Sequence, residues 1–270
     1  MKEKLKKIVW PLIYFVLIIN VCISFILVFR SYYFKSIFVS GSSMEPTLYG
    51  NHGGGQADYG IIDDHRSAIN NIRRFQIVTT YYPFPDSHDY VDGYVKGGDN
   101  VIDEKESSYK IKRVYGFPGE TIHFEVNDEM LELYLNSADK KSAVAQNAYK
   151  NAIEFYVKPN NSTRYKKQKL NFNRNYRIAN EHSLDKYRDY TYVLEEDEYW
   201  VMGDNYAVSS DCFLKNAPIY YDNIVGVLVA IEGTCKINLK VKEQTTVEDE
   251  GTKDYYYECV NRKRHFPVFY

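Results

Sequence analysis

The sequence predicts a mainly β protein that follows a single N-terminal transmembrane helix. Two observations carry this prediction: one long apolar run near the N-terminus, and a chain rich in β-forming aromatic residues, with 27 Tyr and 14 Phe punctuated by Gly and Pro. A length of 270 residues with 44% hydrophobic content allows a sizeable core, as one large domain or two small ones.

The charge balance and the cysteine and histidine spacing narrow the function classes. A formal net charge of −2 gives no reason to expect a nucleic-acid partner. The sequence has no CxxC motif and no His/Cys cluster with the spacing of a zinc site. We therefore expect no metal and no cofactor.

The apolar run predicts a membrane anchor. Residues 8–29 contain 22 positions without a charge. A helix of that length spans about 33 Å, which matches a bilayer core of about 30 Å. Lysines at positions 2, 4, 6 and 7 precede it, so residues 1–7 are expected to be cytoplasmic and the rest of the chain to lie outside the cell membrane.

A cleaved secretory signal peptide is the rival interpretation of this run. Its apolar region is usually about 7–15 residues long and is followed by a cleavage site of small residues. Here the run is longer, and the bulky sequence Phe29-Arg30-Ser31-Tyr32-Tyr33-Phe34 follows it. Both features favour a retained anchor.

Beyond the anchor, runs of β-branched and aromatic residues predict a series of strands. These are Ser36–Val39, Ile61–Asp64, Phe75–Tyr82, Tyr109–Tyr115, Thr121–Val126, Tyr199–Met202 and Asn223–Ile231. A helix is predicted around Ala138 to Phe155. Most of residues 49–72 and residues 86–108 are predicted as loops, and Glu195–Glu198 as a solvated charge run.

Four cysteines limit the disulfide chemistry. Cys22 lies in the apolar run, which leaves Cys212, Cys235 and Cys259. Three cysteines allow at most one intrachain disulfide, and Cys235 with Cys259 is one candidate pair.

Three short motifs carry residues suited to catalysis. The first is Gly41-Ser42-Ser43-Met44-Glu45-Pro46-Thr47, a small flexible segment that presents hydroxyl groups before a proline-fixed turn. The second is Lys112-Arg113-Val114-Tyr115-Gly116-Phe117-Pro118-Gly119-Glu120. The third is Gly203-Asp204-Asn205, followed by Ser209-Ser210-Asp211. Each motif alone is ordinary loop, strand or turn composition.

Together, in this order after one N-terminal anchor, the motifs resemble the type I signal peptidases, membrane serine proteases of the Ser/Lys dyad class. The resemblance covers most of the chain, including an apolar strand at Phe75–Thr80. It implies a catalytic core formed by residues 30–122 and 199–270, with a second, variable β region inserted at residues 123–198. It also implies extracytoplasmic removal of signal peptides from exported preproteins, after small residues at positions −1 and −3, with the lipid bilayer as the other partner.

The resemblance implies a role for each site residue. Ser43 attacks the scissile carbonyl, with its main-chain N–H helping to hold the oxyanion, and Lys112 accepts the serine proton. Ser209 orients the lysine amine, and Asp211 supports the core from behind. Arg113 is expected to pair with an acidic residue, with Asp211 as the candidate.

Asp204 and Asn205 are expected to shape the turn.

The chemistry of a lysine base agrees with the dyad. The pKa of a free lysine is about 10.4, and burial can lower it by up to about 3–5 units. The alternating strand Tyr109–Tyr115 could bury Lys112, and no histidine other than His52 lies near the serine motif.

The chain departs from the family pattern at three places. Gly41 stands where some members carry a second oxyanion-hole serine, and Arg74-Phe75 replaces a common Gly-Asp. Phe213 replaces an arginine. A catalytically inactive or specialised paralogue, acting as a membrane-tethered binding or assembly protein, is therefore the alternative function. A self-cleaving Ser/Lys protease of the repressor type is disfavoured by the anchor and by Gly203-Asp204-Asn205.

Overall fold

The computed structural model describes residues 2–50, 56–81, 110–168, 184–185, 187–205, 209–215, 217–241 and 255–270. The helices are α1 (Lys2–Tyr33), α2 (Arg66–Asn70), α3 (Asp128–Asn136), α4 (Ala143–Asn151) and α5 (Cys212–Lys215). The strands are β1 (Phe34–Phe38), β2 (Ala57–Asp63), β3 (Ile77–Thr80), β4 (Lys110–Gly116), β5 (Thr121–Val126), β6 (Ile153–Lys158), β7 (Lys166–Gln168), β8 (Tyr190–Val193), β9 (Glu198–Met202), β10 (Ile219–Tyr220), β11 (Ile224–Val241) and β12 (Tyr255–Phe269).

Helix α1 is long and apolar enough, from Val9 to Tyr33, to cross a membrane. It continues four residues beyond the predicted end at Phe29. Its last turn contacts the rest of the chain: Arg30 Nη2 lies 2.5 Å from Glu232 Oε2, and the Tyr33 ring stacks on His65.

The larger sheet has eight strands, in the order β1-β2-β11-β3-β4-β9-β10, with β12 paired to β11. The 18-residue strand β11 is the central strand of this sheet, since it pairs antiparallel with β2, β3 and β12. The near-continuous apolar run from Ile224 to Ile231 explains this position, because a central strand is covered on both faces.

The smaller sheet has four antiparallel strands in the order β7-β6-β5-β8. Phe124 of β5 and Phe155 of β6 are fully buried and stack at 4.7 Å between ring centroids. They belong to a core cluster that also contains Trp200 of β9. The two sheets and the apolar helix α1 confirm the predicted fold class.

Several local predictions were wrong. Residues 49–72 include strand β2 and helix α2 as well as loop. The predicted strand at Ile61–Asp64 is only the second half of β2. Gly60 is needed in β2 because a Cβ there would lie 2.1 Å from the Ala230 carbonyl oxygen. The loop predicted at residues 86–108 lies outside the described residues.

The region between the Lys112 motif and Gly203-Asp204-Asn205 also differs in detail from the prediction. The predicted helix from Ala138 to Phe155 is shorter: Ser142 caps α4, and β6 begins at Ile153. Helix α3 was not predicted, although the Asn127 side chain caps it. The predicted solvated charge run is wrong at Glu198, which is buried and accepts hydrogen bonds from Glu195 N and the Tyr192 hydroxyl.

A disulfide joins Cys235 of β11 to Cys259 of β12, and Cys22 and Cys212 are free thiols. The candidate pair is therefore confirmed in the structure.

We expect Cys259→Ser to lower the free energy of unfolding by about 3 kcal/mol, because the disulfide closes a loop of 24 residues. Chemical unfolding of the detergent-solubilised chain measures this, with Cys22→Ser as the control. Thiol titration of the denatured protein should find two free thiols before reduction and four after it. Four thiols without reduction would contradict the pairing.

Candidate active site

The serine motif forms a tight turn directly after β1. Gly41 has a φ of 84°, a left-handed conformation that favours glycine. The side chains of Met44 and Leu48 are buried, and the N–H groups of Thr47 and Leu48 both donate to the Met44 carbonyl. Two buried anchors and these hydrogen bonds hold the backbone, so the half-buried Ser43 is presented on a fixed turn.

Lys112 lies opposite this turn on β4, where it pairs with Val78 of β3. Its Nζ lies 3.1 Å from Ser43 Oγ and also 3.1 Å from the Ile111 carbonyl oxygen. The alternation of β4 turns the side chain inward, and only 2% of the residue is exposed. The structure thus brings together Ser43 and Lys112.

Burial lowers the pKa of Lys112 from its ordinary value of 10.5 to about 8, because an ammonium ion is poorly solvated in this setting. The Asp211 carboxylate opposes the shift and Lys110 adds to it. About one-tenth of the amine is therefore neutral at pH 7 and about half at pH 8, and the neutral form is what a general base requires.

The turn Gly203-Asp204-Asn205 holds the backbone of the serine motif. It follows directly from β9, whose last residue Met202 pairs with Arg113 of β4. Asn205 binds twice: its N–H donates to the Ser43 carbonyl at 2.9 Å, and its Nδ2 donates to the Ser42 carbonyl at 3.0 Å.

Gly203 lies against the same carbonyl. A Cβ at this position would be 2.4 Å from the Ser43 oxygen and 2.3 Å from Ser209 Oγ. This close approach explains the glycine.

Arg113 pairs with an acidic residue, as predicted, but this residue is Asp204, so the candidate Asp211 was wrong. Its Nε and Nη2 lie 2.7 and 2.6 Å from the two oxygens of the fully buried Asp204 carboxylate. Thr47 of the serine motif donates a short hydrogen bond to the same carboxylate. Arg113 Nη1 donates to the Phe75 carbonyl, so one bidentate ion pair joins β4 to the serine turn and to the segment before β3.

Asp211 and Ser209 are both buried beside Gly203. Asp211 accepts from Gly203 N at 2.6 Å and from Phe213 N at 3.0 Å. Among the described residues Ser209 Oγ has no hydrogen-bond partner, and the Lys112 amine is directed at Ser43 and Ile111 instead.

Sequence reasoning gave too little weight to Asn205 and Thr47. Asn205 binds backbone carbonyl groups, and Thr47 binds the buried Asp204 carboxylate. Neither residue type indicates catalysis. The available signal was the position of Asn205 in a turn tripeptide placed directly after a strand.

One group of the described residues has the spacing to hold a metal ion, namely Asp63, Asp64 and His65 at the end of β2. Its members already contact charged neighbours: His65 Nδ1 lies 3.1 Å from Asp63, and Lys35 Nζ lies 2.9 Å from Asp64. These contacts account for the cluster without an ion.

The chain matches the profile of the signal peptidases, peptidase S26, over residues 12–231. The chain belongs to this family. Members are serine peptidases, and the matched region runs from helix α1 to strand β11. No curated protein matches the chain.

We expect Gly203→Ala to lower the free energy of unfolding by about 2 kcal/mol, because the new methyl group must displace the Ser43 carbonyl or Ser209. Gly41→Ala is the comparison: a Cβ there meets no atom within 4 Å, so only the left-handed backbone costs about 1 kcal/mol. Urea unfolding of both variants measures the difference. A smaller loss for Gly203→Ala than for Gly41→Ala would contradict the close packing.

Proposed function

We propose that the chain is a membrane-anchored signal peptidase that removes signal peptides from exported preproteins by a Ser43/Lys112 dyad, cleaving after small residues at −1 and −3. The observation that carries the proposal is the 3.1 Å approach of a buried lysine amine to a serine hydroxyl on a fixed turn. Membership of the S26 family supports the reaction class.

The mechanism follows from the protonation states. Neutral Lys112 accepts the Ser43 proton as Oγ attacks the scissile carbonyl, and the main-chain N–H of Ser43 helps hold the oxyanion. The ammonium of Lys112 then protonates the leaving amine, which is the N-terminus of the mature protein. An acyl-enzyme on Ser43 remains, and Lys112 activates the water that hydrolyses it.

Ser209 and Asp211 are proposed to support the base. A neutral amine has one lone pair and two N–H groups. When the lone pair accepts from Ser43 and one N–H donates to Ile111, the second N–H requires an acceptor. The buried Ser209 Oγ has unused acceptor capacity, which supports its predicted role in orienting the amine. The Asp211 carboxylate binds the Gly203 N–H and so fixes the turn behind Ser43.

The proposed location is the cell membrane, with residues 1–7 cytoplasmic and the catalytic residues outside. Ser43 follows the end of α1 by ten residues, which span at most about 35 Å. The nucleophile is thus kept near the bilayer surface, where a membrane-inserted signal peptide ends. The Cys235–Cys259 disulfide supports an oxidising compartment outside the cytoplasm. We retain residues 30–122 and 199–270 as the catalytic core and 123–198 as the insert.

Cleavage of a preprotein with an Ala-x-Ala site by the detergent-solubilised full-length chain tests the function. We expect Ser43→Ala and Lys112→Met each to lower kcat/KM by at least about 10³-fold, because nucleophile and base act as a unit. Lys110→Met, on the same strand, is the matched control: it removes only a charge that helps to lower the Lys112 pKa and should retain most of the activity. Cleavage at the same site by Ser43→Ala would refute the dyad, and a wild type that is folded but inert would favour the inactive paralogue.

The pH dependence tests the base. Protonation of Lys112 removes the base, so log kcat/KM should rise with unit slope at low pH and level off above the Lys112 pKa of about 8. Initial rates from pH 5.5 to about 9.5 on the same preprotein give the profile. A rate that stays constant well below neutral pH is incompatible with a lysine base.

A further inference from the structure

A buried aromatic stack joins the segment before β8 to the start of α5. The rings of Tyr187 and Phe213 lie 4.0 Å apart and are nearly parallel, at 5°. Phe124 of β5 meets the Phe213 ring edge-on at 5.1 Å. Tyr187 and Phe213 are each at least 96% buried. The smaller sheet therefore packs against Phe213, which lies two positions after Asp211.

A line of hydrogen bonds runs from this stack to Gly203, which lies against the serine turn. The Tyr187 hydroxyl donates to the Phe213 carbonyl at 2.9 Å. Phe213 N donates to one oxygen of Asp211, and Gly203 N donates to the other. Gly203 abuts the Ser43 carbonyl oxygen.

We propose that Tyr187 and Phe213 are positioning residues, through which the smaller sheet fixes the Asp211 carboxylate and thereby the Ser43–Lys112 geometry. The inference rests on the proposed function and goes beyond it, because it gives two residues that pack against the smaller sheet a role in positioning the catalytic pair.

Two physical arguments support the role. Helix α5 has only four residues, too few to be stable on its own, so external packing must fix its start. The charge of Asp211 also acts on the base, since it raises the Lys112 pKa against the effect of burial. A carboxylate that moves away from Lys112 therefore lowers the pKa of the amine as well as loosening the serine turn.

The inference also accounts for the phenylalanine at position 213. Asp211 receives two backbone N–H groups, and the ring that fixes one of them packs between Tyr187 and Phe124. Aromatic packing at position 213 thus holds one of the N–H groups that bind the carboxylate.

The test compares Tyr187→Phe and Phe213→Leu with Tyr149→Phe, a control that alters a buried tyrosine at the contact between α3 and α4. We expect kcat to fall about 3- to 10-fold in Tyr187→Phe, the effect of one buried hydrogen bond, and about tenfold in Phe213→Leu. KM should stay within about twofold, because neither side chain is proposed to touch substrate. The double variant should lose less than the product of the two single effects.

The second readout is the Lys112 titration, followed by NMR of the full-length chain in micelles with ¹³C-labelled lysine. Both variants should titrate at lower pH than wild type, the direction expected when Asp211 moves away, and Tyr149→Phe should match wild type. This measurement needs no activity, so it decides the inference even if wild type fails to cleave and the proposed function is wrong.

Wild-type kcat and an unchanged Lys112 titration in both variants would overturn the inference and leave the dyad in place. A lower unfolding midpoint alone, with kcat and the titration unchanged, would also overturn it, since that is a purely structural role. If Phe213→Leu does not fold, Tyr187→Phe decides, because it keeps the ring and removes only the hydroxyl.

Discussion

The burial of the Lys112 amine beside Ser43 is the constraint on which the rest of the site depends. A charged lysine in this position is unfavourable, and a shift of the Lys112 pKa from 10.5 to about 8 corresponds to about 3 kcal/mol at pH values below both. The folded chain carries this cost near neutral pH and below, because the unfolded chain binds the proton more tightly. The large sheet supplies the compensating stability, with β4 held between β3 and β9. A base of this kind needs a rigid surrounding, since water entering the site would restore the ordinary pKa.

The serine turn is rigid because its carbonyl groups are bound, and the sequence alone could not reveal how. Motifs and their order predicted Ser43 and Lys112, which the structure brings within 3.1 Å. They did not predict that Asn205 binds two consecutive carbonyls, or that Arg113 chooses Asp204 over Asp211. That choice depends on the register of β4 against β9, which places Arg113 opposite Met202, the residue before the turn. Register is a tertiary property and leaves little trace in a single strand.

The fold was predictable to a similar depth. Strand β5 has its predicted bounds, and the predictions for β4 and β9 were within one residue at each end, because these segments are rich in β-branched and aromatic residues. Strand β2 was largely missed, because Gly60 interrupts its alternation of apolar and polar side chains. A glycine is required there because the backbone of β11 lies too close for a Cβ. Helix α3 carried a readable signal, with a capping Asn127 and buried Leu131 and Tyr134 on one face, that was overlooked in a polar region.

If the proposed dyad is the active site, the second sheet is part of the structure that positions it. The turn Gly203-Asp204-Asn205 is bound by the buried Asp211 carboxylate, which also accepts a hydrogen bond from Phe213 at the start of α5. Four residues of helix have no stability of their own, so the packing of Phe213 against Tyr187 and Phe124 must supply it. In the proposed arrangement, the core face of the region at residues 123–198 is tied to the site through this packing. The feature that the site requires here is the aromatic contact, and the residues that form this contact need not be charged.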